Sequence, residues 1–468
     1  MGKRVLLINP PSPHRLLLPM DAKKSSNAGC KPPLGILYLG TCLRQRTSAD
    51  VHLFDGQVLN TSIEDVIKFA RRLNPDLVGI TTWTDYWYDI CLLIDEIKGV
   101  LPDTHICLGG PHTGIFPRES LRRKSVDSII IGDGEAPLVH LIAVMEEKAD
   151  RSFPGLYFSD EEEAIGHFHP YVEKDLDAIP IPDRTLLAYN RYDSLLANGP
   201  MTTMVTGRGC LFRCTFCRLD FQKTVLRSPQ GVIAEMDEIA QLGIKEIEIY
   251  DDTFGIDRDR VLEICRRMKQ RGFTFKLTLR DRVNNIDDEV VAALKEAGLV
   301  RIFLGIESAS DKTLQRVKKG ITVEQARHAV RVIKSHCIEV LAYFMLGLPG
   351  ETREDFERSL QFAMELEPDY VNFSLTIPYP GTELYKLAME NGVIDHDIWR
   401  EFVEDPIKNM VMPVYEERHT RDELLRVHQE IIRKFYFRKE YIFNRLLKIR
   451  SFSQFIKNAK EAFALWRD

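Results

Sequence analysis

Three cysteines, Cys210, Cys214 and Cys217, stand with three and then two residues between them in the run GRGCLFRCTFC (207–217). Such a spacing brings three sulfurs round one side of a short loop. Structural zinc takes four protein ligands, and neither a fourth cysteine nor a histidine lies nearby. Redox pairing needs only two thiols. The reading left is an iron–sulfur cluster with one iron unligated by protein and open to a substrate or cofactor through nitrogen and oxygen. Its alternative is a set of chance or structural cysteines. The other six, Cys30, Cys42, Cys91, Cys107, Cys265 and Cys337, are scattered, mostly in apolar or amphipathic surroundings. They read as small buried hydrophobes in a reducing cytosol.

The elements that position this loop follow from hydrophobic patterning. Near the N-terminus, KRVLLIN (3–9), VHLFD (51–55), DLVGITT (76–82), HICLGG (105–110) and VDSIIIG (126–132) read as strands. Between them, PPLGILYLGTCLRQ (32–45), SIEDVIKFARRLN (62–74) and YDICLLIDEIKGVL read as helices, the second N-capped by Ser62. Apolar strands alternating with helices imply a doubly wound parallel sheet of α/β class, with ligands beyond the carboxyl ends of the strands. After a proline-rich passage, six further units have strands at TTMVT (202–206), EIEIYD (246–251), FKLTLR (275–280), VRIFLGIE (300–307), VLAYFMLG (340–347) and YVNFSLTI (370–377). Six consecutive parallel units predict a partial (β/α)6 TIM-type barrel, whose active site lies at the carboxyl ends of its strands. The cysteine loop directly follows the first of them. The expected divisions are residues 1–150 for a Rossmann-like domain, 151–199 for a linker, 200–385 for the barrel and 386–468 for a C-terminal helical region.

The bulk composition agrees. A chain of 468 residues exceeds one core and implies two or three domains. Its 44% hydrophobic and 28% charged residues are those of a soluble globular protein. A net charge of −6 gives no nucleic-acid footprint. No apolar run is long enough to span a membrane, and the N-terminal MGKRVLLINPPSP is too short for a signal peptide and reads as the first strand. A cytoplasmic protein is expected.

With Phe216 before the third cysteine, Cys210, Cys214 and Cys217 resemble the cluster signature of the radical S-adenosylmethionine (SAM) superfamily. The resemblance covers roughly residues 200–385. It implies a 4Fe–4S cluster that chelates the amino and carboxylate groups of SAM and cleaves it to a 5′-deoxyadenosyl radical, which abstracts hydrogen from substrate. On this resemblance the three cysteines are the catalytic and metal-binding residues. Gly305 and Glu307 in LGIESAS fall at the ribose contact, and Lys319 at the SAM carboxylate. Those assignments suit the chemistry, since a carboxylate matches vicinal hydroxyls and a cation matches a carboxylate; the alternative is a helix-capping Glu307 and a solvated Lys319. Gly347 and Gly350 in LGLPGET give the backbone a turn against adenine. Relatives often keep a glycine-rich methionine-binding motif where this chain has YDDTF (250–254), which leaves Asp251 and Asp252 as candidate contacts by position. Arg280 and Arg282 end the third strand and face either the cofactor or surface acids.

A parallel-sheet domain ahead of such a barrel resembles the cobalamin-binding domain of cobalamin-dependent radical SAM enzymes. INPP, FDG (54–56), GITTWTDYW (79–87), LGGPH (108–112) and IIGDGEAPL (130–138) carry the likeness. It implies Gly109 and Gly110 against the corrin tail, Thr81 and Thr82 at the nucleotide base, and Gly132 and Glu135 in the last loop. Cobalamin methyltransferases of the Asp-x-His-x-x-Gly type bind cobalt through that histidine. Here Asp55-Gly56-Gln57 lacks it, and His112 falls in another loop. Trp83, with Tyr86 and Trp87, is then a candidate lid below the cobalt; the alternative is domain-interface packing. For the whole domain the alternative is a sheet that binds nothing and helps pack the barrel.

From Ile431 to Asp468 the tail carries ten cations and three acids among Phe, Tyr, Leu and Trp466. It resembles the tails of the family containing the anaerobic magnesium-protoporphyrin ester cyclase and hopanoid-modifying enzymes. That likeness implies a large lipid-like or tetrapyrrole-like substrate and peripheral membrane contact, against a packed helical cap with a solvated basic face. The expected function is methyl transfer from methylcobalamin to an unactivated carbon, with a flavodoxin or ferredoxin as reductant. The alternatives are radical cyclisation or ring rearrangement without methyl transfer, and a non-catalytic iron–sulfur regulatory protein.

Overall fold

A computed structural model describes residues 2–18, 29–160, 167–194, 200–218 and 223–448. The first sheet holds β1 (Arg4–Asn9), β2 (Asp50–Asp55), β3 (Leu77–Thr81), β4 (His105–Gly109), β5 (Ser128–Ile130) and β6 (Leu156–Phe158) in the order β2-β1-β3-β4-β5-β6. The first five are parallel, as their apolar runs predict; β6, which the sequence reading did not anticipate, is antiparallel on the edge. Alternate residues serve opposite faces. Val5, Leu7, Leu77 and Cys107 pack with the helices Leu34–Arg46 and Glu135–Met145. Leu6, Ile8, Val78 and Ile80 pack with Ile63–Leu73 and Trp87–Val100. The Ser62 cap is present as a reciprocal capping box with Asp65.

The second sheet contains β7 (Met201–Met204), β10 (Glu246–Ile249), β11 (Lys276–Arg282), β12 (Leu299–Glu307), β13 (Glu339–Leu346) and β14 (Tyr370–Leu375), all parallel and in sequential order from β7 to β14. This is the partial barrel of six strands. Burial alternates along β13 and β14 between fully buried and half-buried positions, so one strand face packs on the helices while the other lines an open lumen. An unanticipated hairpin, β8 (Gly207–Arg208) with β9 (Val225–Leu226), brackets the cysteine loop.

The C-terminal region is helical. Helix Arg421–Tyr436 buries Leu424, Val427, Ile431, Ile432 and Phe435, and His428 Nε2 lies 3.0 Å from the Phe373 carbonyl on β14. Its apolar stripe is therefore spent on the barrel. Of the basic tail, Arg445 donates to the Tyr370 hydroxyl at 2.6 Å and Arg438 to the Phe435 carbonyl at 3.0 Å. The tail beyond residue 448, including Trp466, lies outside the described residues. Among those residues no helix is long and apolar enough to cross a membrane.

The linker is fastened by charge. Arg184 donates to Glu235 Oε1 at 2.6 Å, and Arg227 holds the other oxygen of the same carboxylate, all three side chains being almost fully buried. Arg184 also donates to Thr202 Oγ1 and the Thr203 carbonyl at 2.9 Å each, so the segment before the barrel is bolted to β7. Removing the shared acid strands two buried guanidinium groups. Glu235→Ala is expected to destabilise the fold by about 3–5 kcal/mol, read as a lowered thermal unfolding midpoint. A variant as stable as the parent contradicts this.

Candidate active site

The cysteine loop is held by backbone contacts from four directions. Asp251, buried after β10, accepts from the Thr206 backbone N–H at 2.6 Å and from its hydroxyl. Asp252 accepts from Gly209 N–H at 3.1 Å. Thr215 N–H donates to the Val317 carbonyl at 3.0 Å, and its own carbonyl accepts from Leu384 at 2.8 Å. Thr253 Oγ1 points a donor at Cys210 Sγ, 3.3 Å away, and Arg282 Nη1 points one at Cys214 Sγ, 3.4 Å away. Desolvation first, then the charges of Cys214 and Asp252, push the exposed Cys217 thiol up to about 11. Thiolates gathered here need cationic compensation. A cluster of iron supplies it, and the donors aimed at two of the sulfurs suit thiolate ligands, so the residues present fit a 4Fe–4S group.

Arg282 also donates to the Lys319 carbonyl, and its guanidinium stacks 3.6 Å from the Phe212 ring centroid. It thereby ties the cysteine loop to the next feature. Lys319 Nζ lies 2.7 Å from Glu307 Oε1, both buried, and 6.0 Å from the Phe216 ring centroid. Glu307 adopts φ +70° at the end of β12, where the register with β13 shifts. A non-glycine residue rarely occupies this region, and the ion pair offsets its strain. Gly305 makes room for the pair: a Cβ there would stand 2.5 Å from Glu307 Oε1 and 2.8 Å from Lys319 Nζ. This paired carboxylate and ammonium, beside the cysteines, fit the hydroxyl and carboxylate groups of SAM. Gly347 and Gly350 both take positive φ in the turn after β13, with Gly350 N–H donating to Glu417. The turn is fixed by Glu351, which accepts from Ser308 Oγ at 2.9 Å and Leu348 N–H at 3.0 Å.

In the first domain a cavity of about 300 Å³ opens at the carboxyl ends of the strands. Gly79, Thr81, Cys107, Gly109, Gly110, Gly132 and Glu135 line it, with Leu34, Gly35, Ile36, Tyr38 and Leu39 of the first helix opposite. Its mostly apolar walls, broken by glycine backbone, fit a flat heterocycle on a flexible tail. Gly132 takes φ +90°, where a Cβ would collide with the Tyr171 carbonyl at 2.1 Å. The cavity's far wall belongs to the barrel domain: Val205 and Arg208.

Several expectations need revision. Thr82 does not reach the cavity, since its hydroxyl donates to the Gly109 carbonyl at 2.9 Å and braces β3 against β4. The three-ring lid does not exist as a unit. Trp87 is fully buried, stacks on His112 at 3.9 Å, and donates through Nε1 to the Val403 carbonyl at 2.9 Å. It is interface packing. Tyr86 is half-buried beneath Arg15, whose guanidinium lies 5.0 Å from the ring centroid. Trp83 alone is substantially exposed, at 48%. His112 is held neutral, its ring driven down to about 3 by burial. Asp55 accepts from Asn9 Nδ2 and the Tyr192 hydroxyl, each at 2.8 Å, so this acid is a structural brace.

Neither Arg208 nor the lumen stands out as a local motif. Arg208 reaches out of β8 to Asp133 at 2.7 Å and Glu135 at 2.6 Å, joining the cavity's last loop to a residue two positions from Cys210. In the lumen, Glu248 binds both Lys31 Nζ, at 2.8 Å, and Arg280 Nη2, at 2.7 Å. The signal for the lumen was present as period-two polarity in EIEIYD, KLTLRDR and RIFLGIE. The signal for Arg208 was not, because its partners lie 73 and 75 residues away.

Two outcomes follow. Arg208→Met leaves Asp133 and Glu135 without their shared cation, and cobalamin binding is expected to weaken about tenfold, by titration, with the iron content of the loop preserved. Burial pushes the Glu351 carboxyl up to about 7 from 4.5, so the folded state holds a proton there that the unfolded chain releases. Stability is expected to fall as pH rises from about 4.5 to about 7, and Glu351→Gln should flatten that slope in unfolding midpoints measured at about pH 5 and about pH 8.

The Radical SAM superfamily matches residues 204–363, and the B12 binding domain matches residues 25–142. An uncharacterized methyltransferase of Pyrococcus horikoshii is 31% identical over 457 residues, spanning 96% of each chain. The anaerobic magnesium-protoporphyrin IX monomethyl ester cyclase of Cereibacter sphaeroides is 29% identical, across 88% of this chain and 68% of its own. The cobalamin-dependent SAM radical enzyme OxsB, solved with aqua-cobalamin and SAM, shares the fold with a TM-score of 0.76 at 18% identity, over 99% of this chain and 71% of its own. Two cofactor domains in one chain, with a relative matching 96% of it, establish that it belongs to the cobalamin-dependent radical SAM enzymes, with a 4Fe–4S cluster, SAM and cobalamin as its cofactors.

Proposed function

We propose that the chain transfers a methyl group to an unactivated carbon of a small-molecule substrate held in the barrel lumen. The observation that carries this reading is the wall shared by the two sites, where Arg208 lines the cobalamin cavity two residues from Cys210. Cys210, Cys214 and Cys217 would hold the cluster, with Thr253 and Arg282 donating to two of the sulfurs. Glu307 and Lys319 would orient SAM, with Gly305, Gly347 and Gly350 shaping its bed. Asp252 and Phe216 would flank it. Gly109, Gly110, Gly132 and Thr81 would receive the cobalamin tail, and Trp83 the face below the corrin. When bound, the cluster and SAM supply hydrogen abstraction from carbon, and cobalamin supplies the methyl group.

The exposed Leu211 and Cys217 give a flavodoxin or ferredoxin a face from which to reduce the loop. Ile442, Phe443, Leu446 and Leu447 leave apolar surface on the last described helix, which supports peripheral contact with a membrane or a lipid-like substrate. A second reading, cyclisation without methyl transfer, draws on the likeness to the ester cyclase.

The products separate the two. Chain purified anaerobically from cobalamin-supplied cells is expected to carry bound cobalamin by absorption. With SAM, reductant and substrate it should yield S-adenosylhomocysteine together with 5′-deoxyadenosine. 5′-Deoxyadenosine without S-adenosylhomocysteine overturns methyl transfer in favour of cyclisation; protein that never consumes SAM overturns both.

A further inference from the structure

Among the described residues most charge in the lumen is paired. Glu307 faces Lys319, Glu339 faces Arg301, and Glu246 faces Lys276 at 3.3 Å. Around Glu248, by contrast, two cations share one carboxylate. Lys31 reaches it from the first domain and Arg280 from β11. The second terminal nitrogen of Arg280, Nη1, is buried and has no hydrogen-bond partner among the described residues. A guanidinium nitrogen closed off from water and left unpaired is destabilising unless something else accepts from it.

The surroundings narrow what that acceptor is. The Arg280 guanidinium carbon lies 3.9 Å from the Tyr250 ring centroid and 5.1 Å from that of Phe303. Phe303 meets Tyr343 edge to face at 6.2 Å, and Lys31 Nζ lies 4.9 Å from the Tyr250 centroid. Three aromatic rings thus frame a cluster with one net positive charge. Arg282, which touches Cys214, stands two residues further along the same strand face, a rise of about 7 Å. Anything held by Arg280 therefore sits one side-chain layer from the cysteine loop. The cofactor carboxylate has its own cation in Lys319, on another element.

We propose that Arg280 and Lys31, held by Glu248 and framed by Tyr250, Phe303 and Tyr343, are the substrate-anchoring subsite, and that the substrate carries a carboxylate or phosphate group next to a flat, ring-like portion. The proposal rests on the lumen being the seat of the substrate. Arg280 is a specificity residue in it, and the accessible edge of its guanidinium, on a side chain 30% exposed, meets the anion while the rings cover the adjoining plane.

Probe binding tests this without turnover, so its failure is separate from failure of methyl transfer. Cluster- and SAM-loaded protein is dialysed against benzoate, phenyl phosphate and the neutral benzamide. One or both anions are expected to bind at least about tenfold tighter than benzamide, the tighter of the two identifying carboxylate or phosphate. Arg280→Gln should erase that preference, Arg280→Lys should retain part of it, and Lys31→Met should weaken both anions, while SAM binding and iron content stay at parental levels. Equal binding of charged and neutral probes overturns the proposal. So does anion binding that survives Arg280→Gln, or an Arg280→Gln protein that loses SAM, which makes Arg280 a cofactor contact. Should Arg280→Gln fail to fold, unchanged anion binding in Lys31→Met overturns it instead.

Discussion

The molecule depends on the ion pairs that Arg208 makes with Asp133 and Glu135. Each domain has its own sheet, yet the cavity of the first takes Val205 and Arg208 of the second as one wall. Chemistry that involves two cofactors needs a fixed relation between them, and backbone alone does not provide it across so long a linker. Arg208 does so from β8, two residues before Cys210, by grasping the loop that leads into the helix lining the first-domain cavity. Burial pushes the Asp133 carboxyl up and Glu135 adds to that, while Arg208 pulls it down. The two acids tolerate each other only with the cation between them. The clamp thus carries one cation between two acids when the domains are docked, and leaves those acids uncompensated when they part.

The lumen follows a related logic. An open barrel interior lined by Glu246, Glu248, Lys276, Arg280, Arg301 and Glu307 would be costly if its charges were unpaired. Pairing across neighbouring strands removes most of that cost, and the outward-facing residues of the same strands, such as Ile247, Leu277, Ile302 and Val340, make the hydrophobic core with the helices. Stability and site therefore occupy opposite faces of the same strands. A substitution on one face changes the pleat that presents the other.

Most of the architecture was legible from pattern. Strands with Val, Ile and Leu runs, helices opened by Pro33 or Ser62, and the three cysteines after β7 all declare themselves locally, because each depends on neighbours within a few residues. What was not legible depended on distance in sequence. Trp87 resembles a lid residue until its indole is seen donating to Val403, more than 300 positions away. Thr82 resembles a ligand-facing hydroxyl until its partner proves to be Gly109 on the adjacent strand. Glu307 was expected as a solitary contact, yet its left-handed backbone is sustained by Lys319 twelve residues later. In each case residue type was informative and direction was not, since side-chain direction is settled by packing that no local pattern encodes.

One short segment links the two sites a second time. Lys31-Pro32-Pro33 leads into the helix Leu34–Arg46, whose first turns wall the first-domain cavity. Two successive prolines stiffen this entry by fixing φ and removing backbone donors. The Pro32 carbonyl accepts from Thr203 Oγ1 on β7 at 3.4 Å, and Lys31 extends into the lumen to Glu248. A short proline-stiffened stub therefore joins the helix at the cavity to the cation beside Arg280. Arg208 fixes the cavity to the cysteines from one side, and Lys31 fixes it to the lumen from the other. Two basic residues, reaching in opposite directions across one interface, tie the three sites together beside packing contacts such as Trp87 on Val403.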